Sequence, residues 1–417
     1  MKLVTDSAWN FLSLVIPAVV ALPVFAWIAR LVGIELFGIF TLSFAIAGYA
    51  SIFDLGLSRA LIREVAINKD KPNVVSIFIN TATVLIFMLS AVASLAVFLS
   101  SHWIVDFINV SSAYKNDAIN GIQLLALCLP PMLVTQVWLS YFEGLEQFAY
   151  LSYFKVFSSL STVLLPLALA LYYPSFTMLV LGLVIARLLT FTASMLWVTK
   201  YIKIKPDINW SYATQLFKFG SWLTVSSVIG PVMVYFDRFI LSSMIGAKQV
   251  AFYTAPSELV LRLITLPSAV SRTLFPNFSA NTTVDNQRVY KLSIIVLGIS
   301  ATLIALPIFI FAEDILILWM GAEFAGEPKW VLRILVVGFV INAMAQVPFT
   351  QLQAKGLSKI TALVHCAEAL PYLIILYLLI DTYGIIGAAL AWFTRVVVDM
   401  TVFFILNYKY TYSSHNH

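Results

Sequence analysis

Charge is what this sequence has least of. Asp, Glu, Lys and Arg make up 11% of its 417 residues, where a soluble domain carries about 25%. So few polar groups cannot clothe a soluble fold of this length. A mean hydropathy of +0.94 leaves lipid as the solvent for most of the surface. Cysteine is scarce: Cys128 and Cys366 both sit inside apolar runs, which excludes a disulfide framework and a zinc site. The four histidines stand in no metal-ligand spacing. Long polar loops are also missing. The widest gap between apolar runs, around residues 100–118, holds no more than an interfacial helix, so no soluble domain is expected on either side. There is no Gly-rich phosphate loop with Lys-Ser/Thr and no Asp-x-Asp at a membrane face, which argues against nucleotide-dependent glycosyl transfer. No cofactor and no metal are implied.

What is present is a series of apolar runs long enough to cross hydrocarbon, which takes about 20 residues each. Roughly twelve segments qualify: 9–31, 37–58, 77–99, 119–140, 156–172, 176–199, 217–245, 250–271, 292–312, 331–351, 361–380 and 385–407. The first is too long for a signal-peptide core and has no small-residue cleavage site, so it reads as a membrane helix. The expected fold class is an all-α integral membrane protein of about 12 transmembrane helices.

The net charge of +5 does not indicate nucleic acid, because the basic residues fall in short blocks between apolar runs. One set of alternate loops carries about 16 lysines and arginines and the other about five, and the richer side faces the cytoplasm. Both termini are therefore expected to be cytoplasmic.

The two halves of the chain echo each other. At an offset of 213 residues, Gly33 falls on Gly246, Phe40 on Tyr253, Thr41 on Thr254, and Ser58-Arg59-Ala60-Leu61 on Ser271-Arg272-Thr273-Leu274. Gly144-Leu145 meets Gly356-Leu357 at an offset of 212. These matches predict two homologous six-helix lobes, residues 1–205 and 206–417. An even helix number makes them parallel repeats about an axis along the membrane normal. Pro17 and Pro23 in the first segment and Gly230-Pro231 in the seventh interrupt helices at matching places. Such paired interruptions mark a substrate pathway, although proline is also common in membrane helices generally.

Several motifs then point to a family. Ala29-Arg30-Leu31-Val32-Gly33 precedes Phe37-Gly38-Ile39-Phe40, followed by Asp54-Leu55-Gly56-Leu57 and Tyr141-Phe142-Glu143-Gly144-Leu145-Glu146-Gln147-Phe148. Asp237-Arg238-Phe239-Ile240-Leu241 leads through Ala251-Phe252-Tyr253 to Leu274-Phe275-Pro276. In their order and helix context these resemble the O-antigen (Wzx-type) flippases of the multidrug/oligosaccharidyl-lipid/polysaccharide superfamily. The resemblance implies two lobes in a V around a central cavity. It implies that an undecaprenyl-diphosphate-linked oligosaccharide passes from the cytoplasmic to the periplasmic leaflet of a bacterial inner membrane as the lobes rock. No covalent bond changes, so the protein is not expected to be an enzyme. Its partners would be that lipid-linked glycan, membrane lipid, and a glycan polymerase with its chain-length regulator.

A diphosphate head needs a wet, cationic cavity, and a charge at mid-membrane costs about 2.5–3.5 kcal/mol on insertion scales. Arg187 lies mid-segment with no acid three or four residues away, so it either contacts the head or pairs across helices. Glu258 and Arg262, and Arg395 and Asp399, share helix faces at i,i+4. They read as polar glue within the bundle or as substrate contacts. Arg262 and Arg395 lie at about the depth of Arg187, which would allow a cationic ring. Arg238 is a further cavity candidate; its neighbour Asp237 points about 100° away. Asp54 and the His365–Glu368 pair are candidates for ion coupling or for buried polar pairs. Arg59 and its repeat mate Arg272 are candidate gate residues. Snorkelling to headgroups is the competing role for Arg59 and also for Arg30.

Two other functions compete. A multidrug/cation antiporter of the same superfamily would favour an acid-rich cavity, whereas basic residues are prominent here. A membrane glycan polymerase or ligase needs a sizeable external loop, which this chain lacks.

Overall fold

The computed structural model describes residues 2–280 and 283–412, and among these the side chains of residues 2–15, 51, 219–234, 272, 276–277, 279–280, 283–286 and 411–412 are left aside. The side chain of Arg272 and the Gly230-Pro231 interruption thus lie outside the described residues.

Among the described residues the fold is entirely helical. The first part comprises α1 (Lys2–Val32), α2 (Ile34–Ala50), α3 (Leu57–Ile67), α4 (Pro72–Leu99), the short α5 (Ser101–Phe107), α6 (Lys115–Ala126), α7 (Leu129–Gly144), α8 (Phe148–Tyr172), α9 (Phe176–Val198) and α10 (Trp210–Ile245). The rest comprises α11 (Ala247–Ala280), α12 (Thr283–Ile310), the short α13 (Ala312–Met320), α14 (Glu327–Ala354) and α15 (Ser358–Asn407). Every expected apolar segment falls on helix. Among the described residues, eight helical stretches are long and apolar enough to cross a membrane, with a shorter apolar helix at Ile16–Val32.

One of those stretches, Ser358–Tyr410, runs 53 residues and cannot be one rod. His365 Nδ1 lies 3.6 Å from Asp399 Oδ1, although a straight helix would hold these residues about 50 Å apart. The chain reverses at Gly384 (φ 56°, ψ −129°), a backbone conformation that glycine alone adopts readily. Gly387 then packs so tightly that a Cβ there would run into the Leu379 carbonyl. α15 is therefore two antiparallel limbs, which are the eleventh and twelfth expected spans.

The lipid-facing surface is apolar in stripes. On α12, Leu292, Ile295, Val296, Ile299, Leu303 and Leu306 are all exposed, at the three- and four-residue spacing of one helix face. Inside, polar side chains settle buried backbone groups. Asp117 accepts from the Phe176 and Thr177 amides at 2.8 and 3.0 Å and so caps α9.

The repeat has a backbone signature. Gly33 (φ 86°) joins α1 to α2 and Gly246 (φ 94°) joins α10 to α11. Asn109 (φ 52°) follows α5 and Gly321 (φ 112°) follows α13, 212 residues apart against 213 for the glycine pair. By packing, the chain divides into two compact units, Met1–Lys248 and Gln249–His417. In the first unit α10 packs on α2, α3 and α4. Tyr49 meets the rings of Tyr235, Phe236 and Phe239, and Ser242 Oγ donates to the Ile108 carbonyl at 2.5 Å.

Candidate functional site: two repeat-related cavities

Each unit contains a polar cavity among its spanning helices. The cavity in the first unit, about 920 Å³, is walled by the start of α3 and by α7, α8 and α9. The cavity in the second unit, about 570 Å³, is walled by α11, α14 and both limbs of α15. In the expected order of spans these are the second, fourth, fifth and sixth helices of the lobes expected at residues 1–205 and 206–417.

The first cavity gathers Asp54, Arg59 and Arg187 from the sequence candidates. Arg187 stands at the midpoint of α9, about 16 Å from either end. Arg59 and Lys155 line the same cavity near the start of α3 and early in α8. The cavity thus extends from the start of α3 to the middle of α9. Its walls carry Thr135, Gln136, Ser140, Ser158, Ser159 and Thr190. Among the described residues, none of Arg59, Lys155 and Arg187 has an ion-pair partner within 4.0 Å. Asp54 is engaged with the turn before α3. It accepts from Ser58 Oγ at 2.6 Å and from the Ser58 amide at 3.2 Å, while Leu55 (φ 47°) and Gly56 (φ 70°) bend the chain. Glu143 is the other acid in the lining.

The second cavity has a different charge pattern. His365 Nδ1 lies 3.5 Å from Glu368 Oε2 and 3.6 Å from Asp399 Oδ1, and Arg395 Nε is 3.8 Å from Asp399 Oδ2. One imidazole and two carboxylates thus offer ligand atoms within 4.8 Å of one another. Arg395 also lies 5.5 Å from the Tyr372 ring centroid. Phe349 and Phe403 flank the imidazole at 5.8 and 5.5 Å. Gln346 bridges α11 and α14: it accepts from Ser271 at 3.2 Å and donates to Ser268 at 3.1 Å and to Asn342 at 3.2 Å.

The remaining candidates do not join these clusters. Arg262 is held by Glu258 at 3.2 Å and lines neither cavity. Arg238 is buried; its amide donates to Asp237 Oδ1 at 2.7 Å and its guanidinium lies 5.6 Å from the Tyr235 ring centroid. Lys155, Glu143 and the hydroxyl lining were not singled out from the sequence. For α8 the signal was the Lys155, Ser158, Ser159 stripe at helical spacing, whose first member lies just outside an apolar window starting at residue 156.

The model of a family described as polysaccharide biosynthesis protein matches residues 3–282. The chain belongs to that family. A Shigella flexneri relative described as "Putative O-antigen transporter" is 37% identical over 405 residues, covering 96% of each chain. Among solved structures, the lipid II flippase MurJ in an inward closed conformation superposes with a TM-score of 0.79 at 14% identity, over 96% of this chain and 87% of that one. An inward-facing multidrug resistance MATE family transporter of the MOP superfamily gives 0.77 at 15% identity, over 94% of each. At these identities the structural likenesses establish the fold: the polysaccharide biosynthesis family member has the architecture of MOP superfamily transporters.

Proposed function

We propose that this chain is a flippase. It carries an undecaprenyl-diphosphate-linked O-antigen-type oligosaccharide from the cytoplasmic to the periplasmic leaflet of a bacterial inner membrane by alternating access, with both termini cytoplasmic and no covalent chemistry. The observation that carries this reading is the first-unit cavity, where Arg59, Lys155 and Arg187 have no ion pair within the described residues. Arg187, half-buried midway along α9, is costly in a membrane without a carboxylate unless water or an anionic ligand compensates it. A diphosphate would supply that anion, and the hydroxyl and amide lining would hydrogen-bond sugar. A volume of about 920 Å³ lies in the range of ligand sites, roughly 300–1,000 Å³.

The second cavity supplies a group able to couple transport to an ion. The His365–Glu368–Asp399 cluster with Arg395 holds fewer positive charges than two carboxylates need when His365 is neutral, so a proton or a small cation completes it. A cation entering as the cavity returns inward would move down the membrane potential and add driving force, about 2.3 kcal/mol per charge per 100 mV.

The test is complementation in a flippase-deleted bacterium that assembles a polymeric surface glycan, at matched membrane levels. The native chain should restore surface glycan, Arg187→Ala should abolish it, and Arg187→Lys should retain part of it. Glu368→Gln should leave the protein folded and alter the pH dependence of export. A native chain that restores no glycan with several repeat-unit structures, but exports cationic dyes, would overturn the flippase reading in favour of an antiporter.

A further inference from the structure

A second basic cleft, separate from the transport cavity, lies in the first unit where the segment between α9 and α10 crosses α4. Its sequence, Ile202-Lys203-Ile204-Lys205, alternates. Ile202 is buried in the apolar cluster of the unit and Ile204 packs against it, so the alternation turns Lys203 and Lys205 outward. Side chains on α4 fasten the segment there. Buried Asn80 accepts from the Lys205 amide at 3.0 Å and donates to the Lys203 carbonyl at 3.3 Å. Thr81 accepts from the Asn209 amide at 3.2 Å.

The cleft between this segment and the first turns of α4 has a volume of about 500 Å³ and is lined by Lys69, Lys203 and Lys205 together with Asn73, Ser76 and Tyr201. Among the described residues none of the three lysines has an ion-pair partner within 4.0 Å, and Asp207 is the one acid in the lining. Three positive charges are thus held around one concavity by a tethered backbone. The cleft also has a membrane address. It opens where α4 begins its apolar run and α9 ends. Exposed Tyr150, Tyr153 and Tyr201 stand at the same end of the helices, beside Trp197, which stacks on Phe142 at 3.7 Å. Tyrosine and tryptophan collect at headgroup level, and a basic pocket between membrane helices at that level suits an anionic headgroup.

We propose that this cleft is a binding site for the phosphodiester headgroup of an anionic membrane phospholipid, with Lys69, Lys203 and Lys205 as its charge partners. The occupied cleft would hold the segment between the two halves against α4. The inference does not depend on the transport reading, because lipid retention is measured without transport.

Native mass spectrometry of the detergent-solubilised full chain tests it, with phosphatidylglycerol, phosphatidylethanolamine and inorganic phosphate as separate probes. The native chain should retain phosphatidylglycerol about tenfold more strongly than phosphatidylethanolamine, and added salt should erode that preference. The Lys69→Gln, Lys203→Gln, Lys205→Gln triple variant should lose the preference. The corresponding Lys→Arg triple should keep it, as should Lys115→Gln, which alters the Asp106–Lys115 pair elsewhere in the unit. If the Gln triple fails to fold, Lys205→Gln alone and the salt series on the native chain decide. No preference in the native chain, an unchanged preference in the folded Gln triple, insensitivity to salt, or displacement of phosphatidylglycerol by equimolar inorganic phosphate would each overturn the proposal.

Discussion

At the level of single residues, Asp54 is open from the sequence to two readings, an ion-coupling group or a buried polar pair. In the fold its carboxylate caps the turn into α3 through Ser58, beside a non-glycine residue with positive φ. Removing such a cap costs about 1 kcal/mol. Asp54→Ala should therefore lower the thermal midpoint of the detergent-solubilised protein, and Asp54→Asn, which keeps the acceptor, should restore both stability and surface glycan. A folded but inactive Asp54→Asn would return the charge itself to the mechanism.

Glu313 offers a pH test outside the spans. A hydrogen bond from Lys329 Nζ at 2.9 Å, then one from the Gly326 amide at 3.2 Å, holds its carboxyl below the ordinary 4.5. A depressed carboxylate contributes stability above its unfolded value, and that contribution is lost as pH falls through the folded one. The native chain should melt slightly higher than Glu313→Gln at neutral pH, and the gap should close as pH drops below 4.5. Thermal scans across that range would show it.

At the level of elements, hydropathy located the spans but not their interruptions. Segment 37–58 breaks where Leu55 and Gly56 take positive φ, and segment 119–140 breaks between α6 and α7 just ahead of Pro130 and Pro131. An apolar window averages over such breaks, and it ends where helices such as α8 continue past the hydrocarbon. That is why Lys155 read as a loop charge and not as part of a cavity. Arg187 was legible because a lone arginine in an apolar run has no local acid, whereas its company depends on α3, α7 and α8 meeting in space.

The limbs of α15 make a sharper prediction. Gly387→Ala would press a methyl group on the backbone of Leu379 and Ile380, a rigid neighbour. Gly298→Ala meets only the flexible Met344 side chain, at 3.2 Å. Overpacking costs about 1–3 kcal/mol, so Gly387→Ala should sharply reduce folded yield by fluorescence-detected gel filtration, while Gly298→Ala should come close to the native yield.

At the level of the whole molecule, one match behind the expected repeat has a backbone reason: Gly33 and Gly246 both take positive φ, which glycine alone adopts readily. The polarity difference between the two cavities was not legible, because the sequence set Glu368 and Asp399 in separate spans without showing that His365 packs between them. The topology makes its own prediction. Single cysteines at Asp70 and at Ser358, beside lysine-rich turns, should be labelled by an impermeant thiol reagent only after the inner membrane is opened, and one at Ser112 in intact spheroplasts, all in a chain lacking Cys366.

The tether of residues 203–209 onto Asn80 and Thr81 has a bearing on biosynthesis. The segment is secured by residues made more than a hundred positions earlier, and α10 then docks on α2, α3 and α4. All partners of the first unit are thus in the bilayer by the time Ile245 leaves the translocon. A nascent chain stalled shortly after that point should already resist proteolysis, with the second unit still unsynthesised.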